Sequence, residues 1–237
     1  MVIPVNGDAL TDACQRAMDD GTLIFSFIFD TIARNCYRTT DPVIIAQTEV
    51  ELAMDWVNQT FPNAEDGSVN CVVMGNDADQ ISKTQHDAGY EAALQYPQLH
   101  VIENINCEGT ILDGQARAEN ILTTYPDTEI HLWIVTDSSQ ALGVNAAVMA
   151  ENSGVDYIER VCVTGSALSD ETVGIMRLSQ TDEGVIRVCA APGGKADENI
   201  RGLYEQAVKM LNGEPYDELC PVQVDKVWPE DLPSYGY

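Results

Sequence analysis

The sequence predicts an α/β fold built on doubly wound parallel sheets, and three observations predict it. Short apolar runs alternate with helical stripes from one end of the chain to the other. Several of those runs are apolar throughout rather than at every second residue, and nearly all are followed by glycine or short polar side chains. Alternation of this kind is what parallel strands joined by crossover helices require. Strands covered by helices on both faces have no solvent side, so they lose the polar half of the usual two-residue period.

Strands are expected at about residues 1–5, 22–29, 43–46, 69–74, 99–105, 130–135, 158–164, 184–189 and 221–227, where runs of β-branched and aromatic side chains are bounded by turn formers. Leu23 through Phe29 and Ile130 through Val135 show burial on both faces most clearly. His131, inside the second of these, reads as a satisfied core histidine rather than a base. Asp8 is placed to cap a first helix whose Leu10, Cys14, Ala17 and Met18 share a face. Ile111, Gln115, Ala118 and Leu122 mark a middle helix. Ile200, Leu203, Tyr204, Ala207, Met210 and Leu211 form the clearest amphipathic stripe, stopped by Asn212-Gly213. Pro229 to Tyr237 has no period and is expected as an irregular tail.

Charge and motif content narrow the chemistry. Twelve Lys and Arg against 38 Asp and Glu give a net charge of −26, so a nucleic acid backbone or an anionic membrane surface would be repelled. The seven cysteines are an odd number with no CxxC spacing, and no disulfide framework is indicated. Cys71, Cys162 and Cys189 lie in apolar runs and are expected as small buried hydrophobes. No run reaches the length of a membrane span, and MVIPVNGDAL has neither a basic nor an apolar leader region. There is no GxSxG elbow, no HExxH, and no metal spacing among His86, His100 and His131. Gly193-Gly194-Lys195 fails as a phosphate loop, with Cys at position 189 and Ala at 196. No catalytic residue, metal or cofactor is expected.

In an open parallel sheet, the loops after the strands converge at one edge, and small ligands are held there. These loops read Asn6-Gly7-Asp8, Asp30-Thr31, Gly75-Asn76-Asp77, Asn106-Cys107-Glu108, Thr136-Asp137-Ser138, Gly165-Ser166 and Ala191-Pro192-Gly193-Gly194. Short polar side chains suit a neutral polar solute. They are also what helix N-termini use for capping, and about half of them are expected to do only that.

The order of these segments resembles a known family. Ile3 through Leu10, and Phe29-Asp30 after them, resemble strand ends of type I sugar-binding periplasmic proteins. Met74-Gly75-Asn76 precedes a helix carrying Asp87-Ala88-Gly89-Tyr90-Glu91-Ala92-Ala93-Leu94, similar to the family's "RxxGxxxAL" helix. Tyr125-Pro126-Asp127 matches its helix-ending "YPD". Thr136 through Gly143 resembles "NDxxALG", Val161 through Gly165 resembles "VxVxG", and Ala207 through Gly213 resembles the closing helix. Shared order over nearly the whole chain carries the resemblance.

The resemblance implies a two-lobed type I periplasmic binding protein fold with a hinge and an interlobe cleft. Residues 1–46 and 192–219 would form an N-terminal lobe, 47–190 the C-terminal lobe, and 220–237 a hinge crossover and tail. The family's first lobe begins with two more strand–helix units, so the first lobe here is expected to be incomplete and poorly stable alone. The implied ligand contacts are Asn6, Asp8, Asp30, Thr31, Asn76, Gln85, His86, Glu108, Thr136, Asp137 and Ser166. Where relatives carry an Arg on the helix after Gly75, this chain has Gln85 or His86; Thr136 replaces an Asn, and Ser166-Ala167 stands where an Asp is expected. The charged partners that grip sugar hydroxyls are thus largely missing.

The first reading is an extracytoplasmic, lipid-anchored, monomeric solute-binding protein that hands a small sugar-like molecule to an ABC permease or receptor, without chemistry. The alternative is the effector-binding domain of a LacI-type transcription regulator lacking its DNA-binding headpiece. An enzyme of flavodoxin-like architecture is the third, and it lacks a nucleophile, base or metal constellation.

Overall fold

The computed structural model describes residues 1–2, 7–27, 30–151, 155–193 and 196–237. In chain order the elements begin with α1 (Gly7–Asp19), β1 (Phe25–Phe27), β2 (Cys36–Thr39), α2 (Pro42–Thr60), β3 (Val69–Asn76) and α3 (Gln80–Ala93). They continue with β4 (Leu99–Cys107), α4 (Ile111–Thr124), β5 (Leu132–Val135), α5 (Ser138–Ala150), α6 (Val155–Ile158), β6 (Cys162–Gly165) and α7 (Asp170–Leu178). The last are β7 (Ile186–Pro192), α8 (Ala196–Asn212), β8 (Leu219–Pro221) and β9 (Val224–Val227), followed by a 3-10 helix at Pro229–Tyr235. The chain divides into a smaller unit, Met1–Asp41 with Gly193–Gln223, and a larger one, Pro42–Pro192 with Val224–Tyr237.

In the larger unit six strands form a sheet in the order β4-β3-β5-β6-β7-β9. All neighbours are parallel except β7 and β9, which run antiparallel. Both faces are covered, as the unbroken apolar runs require. On one side Cys71, Val73, Leu132 and Ile134 pack on α2 through Val50, Ala53, Trp56 and Val57. On the other, Val72, Met74, Trp133 and Val135 pack on Ala118 and Leu122 of α4 and on Val144 and Val148 of α5. Helices α4 and α5 approach closely at Gly114 and Gly143: a Cβ on Gly143 would meet the Ile111 carbonyl, and one on Gly114 would lie 2.8 Å from Gln140 backbone.

The smaller unit is a parallel sheet in the order β1-β2-β8, with Val2 bridged to Ser26. Phe25, Cys36, Met210 and Cys220 pack together with Leu203 and Tyr216. Cys14, Ile24 and Ala33 form a second cluster with Val2, Ala17 and Met18. The face expected of α1 is therefore seen at Cys14, Ala17 and Met18, whereas Leu10 is exposed. Along α8 the covered line is Leu203 and Met210, whereas Ile200, Tyr204 and Leu211 are exposed, contrary to a wholly buried stripe.

Several expected elements differ. Val43 to Ala46, read as a strand, opens α2: Pro42 is ready for a first helical turn, and the apolar residues that follow recur at helical spacing over the sheet. Cys36 to Thr39 is a strand that was not expected, because only one of its four side chains is buried. The 221–227 strand is two strands in two sheets, β8 and β9. The tail is not irregular. Leu232 is buried, Tyr235 donates to Asp225 Oδ2 (3.0 Å), and Tyr237 donates to the Leu168 carbonyl (3.4 Å). All seven cysteines are free and buried, including Cys71, Cys162 and Cys189. His131 accepts from the Asn70 N–H (3.1 Å) and lies edge-on to Phe61, and burial lowers its pKa.

Candidate functional site

In the larger sheet β3 has β4 on one side and β5 on the other, so the winding direction reverses between β3 and β5. At such a switch point the loops leaving adjacent strands diverge, and a crevice opens outside their carboxyl ends. Three loops meet there. After β3, Asn76 Oδ1 accepts from the Ala78 N–H (2.8 Å), the Asp77 N–H donates to Asn106 Oδ1 (3.0 Å), and Asp79 caps α3. After β4, the Glu108 N–H donates to Asp113 Oδ2 (2.8 Å) and Thr110 caps α4. After β5, Asp137 Oδ1 accepts from the N–H groups of Ser139 (2.8 Å) and Gln140 (3.1 Å), capping α5.

Gly109 joins the three. Its φ is +71°, in the left-handed region, and a Cβ there would lie 2.5 Å from Asn76 Nδ2 and 3.6 Å from Asp137 Oδ2. Only glycine lets these two polar side chains approach the β4–α4 backbone so closely. Farther along the edge, Ser138 Oγ and Ser166 Oγ lie 3.2 Å apart, and Glu108 is exposed. Thus Asn76, Asp137, Ser166 and Glu108 all stand at the carboxyl edge of one sheet.

The candidates on α3 face inward. His86 is buried, with Nδ1 2.8 Å from Asp77 Oδ1 and Nε2 2.8 Å from Asn104 Oδ1, so both ring nitrogens are engaged within the protein. Its ring fills the space a Cβ would take at Gly75. Gln85 Nε2 donates to the Thr136 carbonyl (3.0 Å) and to Glu49 Oε1 (3.3 Å). Thr136 is itself buried, and its hydroxyl donates to the Met74 carbonyl (3.4 Å).

Glu49 is the residue the sequence reading missed. It is fully buried on α2, and its Oε2 has no partner among the described residues. Burial drives its carboxyl well above the ordinary carboxylate range; the Gln85 hydrogen bond opposes the shift and the charge of Asp137 adds to it. The signal was present, since Glu49 precedes Leu52, Ala53 and Trp56 at three, four and seven residues and so shares their apolar face. Gln140 beside Asp137 is equally buried, and neither of its amide atoms has a partner among the described residues.

In the smaller unit Asp8 is exposed in the first turn of α1. Asp30 is held by Arg34 through two bonds of 2.6 and 3.0 Å. Thr31 is buried, with a hydroxyl that has no partner among the described residues. Asn6 lies outside the described residues. No group of three or more His, Cys, Asp and Glu able to hold a metal ion occurs among the described residues.

A doubly wound larger unit, entered from and returning to a smaller parallel α/β unit, defines the type I periplasmic binding protein fold. The periplasmic binding protein domain family matches residues 1–215, and the chain belongs to that family. Solved structures agree. The chain is similar to a periplasmic solute-binding protein of an ABC transporter from Actinobacillus succinogenes 130z with bound D-allose: 17% identity, TM-score 0.79, covering 99% of this chain and 79% of that one. A periplasmic ribose ABC transporter protein from Conexibacter woesei is 15% identical at TM-score 0.73, covering 98% of this chain and 73% of that one. A solute-binding protein from Bacillus halodurans with bound myo-inositol is 19% identical at TM-score 0.72, covering 99% and 75% respectively. Comparison with curated proteins finds no match. Among the described residues no helix is long and apolar enough to cross a membrane.

Proposed function

We propose that this chain is the solute-capturing component of an ABC-type uptake system and binds a small, neutral, polyhydroxylated molecule at the β3/β5 switch point, without chemistry. The observation that carries this reading is the meeting of Asn76, Gly109 and Asp137. An amide donor and a carboxylate oxygen face one glycine at the sheet edge where doubly wound folds hold their ligands. A carboxylate and an amide together accept from and donate to hydroxyl groups, which is how vicinal diols are recognised.

Two further facts favour a neutral solute. Where the family resemblance implies a guanidinium this chain has Gln85 or His86, both bonded inside the protein, so that position offers no cation to an anionic solute. The net charge of −26 repels anions. The sugar and cyclitol ligands of the similar structures fit the same chemical class. In this proposal Asn76 and Asp137 touch the solute, Glu108 and Ser166 border it, and Gln85, His86 and Thr136 hold the loops in place. The interlobe cleft, the contributions of Asn6, Asp8, Asp30 and Thr31, an extracytoplasmic location, a monomeric state and a permease or receptor partner belong to the proposal as well.

The test is a thermal-shift screen of aldoses, polyols, cyclitols and nucleosides, followed by calorimetry. A ligand of the native state raises the melting temperature. Asn76→Ala should then weaken binding by about tenfold or more, the loss of one hydrogen bond to a polar solute being about 1.5 kcal/mol. A silent panel, or an Asn76→Ala protein that binds as tightly as the parent, would overturn the reading.

A further inference from the structure

The smaller unit is assembled from two distant stretches of chain, Met1–Asp41 and Gly193–Gln223, and strands β2 and β8 are where they pair. In that parallel pair Arg38 lies opposite Cys220, so Cys36, two residues before Arg38, projects from the same face as Cys220. The two sulfurs are 3.6 Å apart, and both residues are buried in a small cluster with Phe25 and Met210.

We propose that Cys36 and Cys220 form a disulfide bond when the chain folds in an oxidising compartment, stapling the two stretches of the smaller unit together. Closing the sulfurs from 3.6 Å to a bond of about 2.05 Å takes a movement of roughly 1.5 Å. Because Cys36 and Cys220 are diagonal across the strand pair, the backbones of β2 and β8 must also draw together for the bond to close. The pairing is selective. Cys71, Cys107, Cys162 and Cys189 belong to the larger unit, and Cys14 belongs to a separate cluster of the smaller one.

The need for a staple follows from the size of that core. Among the described residues its clusters hold four and three buried side chains, and small cores in extracytoplasmic proteins are the ones that gain most from a covalent link. The bond requires an oxidant, a disulfide-bearing donor. The thiolate of one cysteine attacks the donor disulfide and releases one donor thiol. The other cysteine's thiolate then displaces the second donor thiol, so two protein thiols are oxidised and one donor disulfide is reduced to two thiols. In the closed, reduced unit burial and the neighbouring Cys220 push the Cys36 thiol up to about 12. Its thiolate is therefore scarce once the strands have packed, and the bond forms during folding.

The inference rests on the extracytoplasmic part of the proposed function and not on any solute. The chain is reduced, unfolded, and refolded with oxidised glutathione; thiols are then alkylated under denaturing conditions and the peptides mapped. The expected product has two fewer free thiols than the original seven and a linked peptide pair carrying Cys36 and Cys220. It melts several degrees above the reduced form, and Cys220→Ser abolishes the linked pair and that increment. Seven free thiols after oxidative refolding, a bridge between other cysteines, or a bridged form that melts below the reduced one would overturn the proposal. Because the assay reads thiols, its failure leaves the solute reading untouched.

Discussion

Glu49→Gln offers a test of how the switch point is supported from beneath. The Glu49 carboxyl is fully buried, accepts one 3.3 Å hydrogen bond from Gln85, and is raised well above its ordinary value of 4.5 by burial first and by Asp137 after it. The sign follows from proton binding. Above pH 4.5 the unfolded chain has released this proton while the folded chain still holds it, so stability falls as pH rises until the folded pKa is passed. Below the unfolded value both states are protonated and the effect is absent. The slope is about 1.4 kcal/mol for each pH unit. Glutamine is neutral throughout and can still accept from Gln85, so subtracting the two proteins removes every other titrating group. The advantage of Glu49→Gln should thus be small near pH 4 and grow by about 1.4 kcal/mol per unit from roughly pH 5 upward. Urea unfolding followed by tryptophan fluorescence reads the right unit, because Trp56, Trp133 and Trp228 all belong to the larger one. A difference that stays flat between about pH 5 and 7 would show that the carboxyl ionises in the fold and that the burial argument is wrong.

Other changes probe other parts of the frame. Gly143→Ala should cost about 1–3 kcal/mol in denaturant unfolding, since the added methyl meets α4 backbone; an unchanged midpoint would mean that α4 and α5 separate freely. Asp137→Ala should cost about 0.5–2 kcal/mol by removing the α5 cap and Asp137→Asn much less, which separates capping from any effect on solute affinity measured by calorimetry. Leu232→Ala should cost about 2–5 kcal/mol because its side chain is buried in the larger unit's core, whereas a tail lying free in solvent would give almost nothing.

What the sequence made legible follows from how each element is buried. Strands β3 and β5 are apolar through their middles because helices cover both faces, and that pattern has no competing reading as a half-exposed strand. Asp137 and Gly143 stand inside one motif of the sequence, but that the first caps α5 and the second lets α4 approach is seen only in the structure. Val43 to Ala46 was not legible. Four apolar residues satisfy a strand or a helix equally, and only the longer spacing through Trp56 decides for the helix. Strand β2 was hidden because pairing on both sides, not burial of its side chains, holds Tyr37, Arg38 and Thr39 in the sheet. The site was half visible. Loop residues after the strands were found by position, but which of them turn inward depends on tertiary contacts, between Gly75 and His86 across the β3–α3 turn and between Gln85 and Thr136, which are far apart in sequence.

The split make-up of the smaller unit also fixes an order of events on the ribosome. Residues 1–41 emerge before the larger unit, yet strand β2 has no β8 to pair with until about 180 further residues have been made. The uninterrupted stretch from Pro42 to Pro192 can fold in the meantime, and its formation shortens the path that the early and late segments must close. Until β8 is made, β2 therefore offers an unpaired edge, and it is at that edge that chaperones would find the chain.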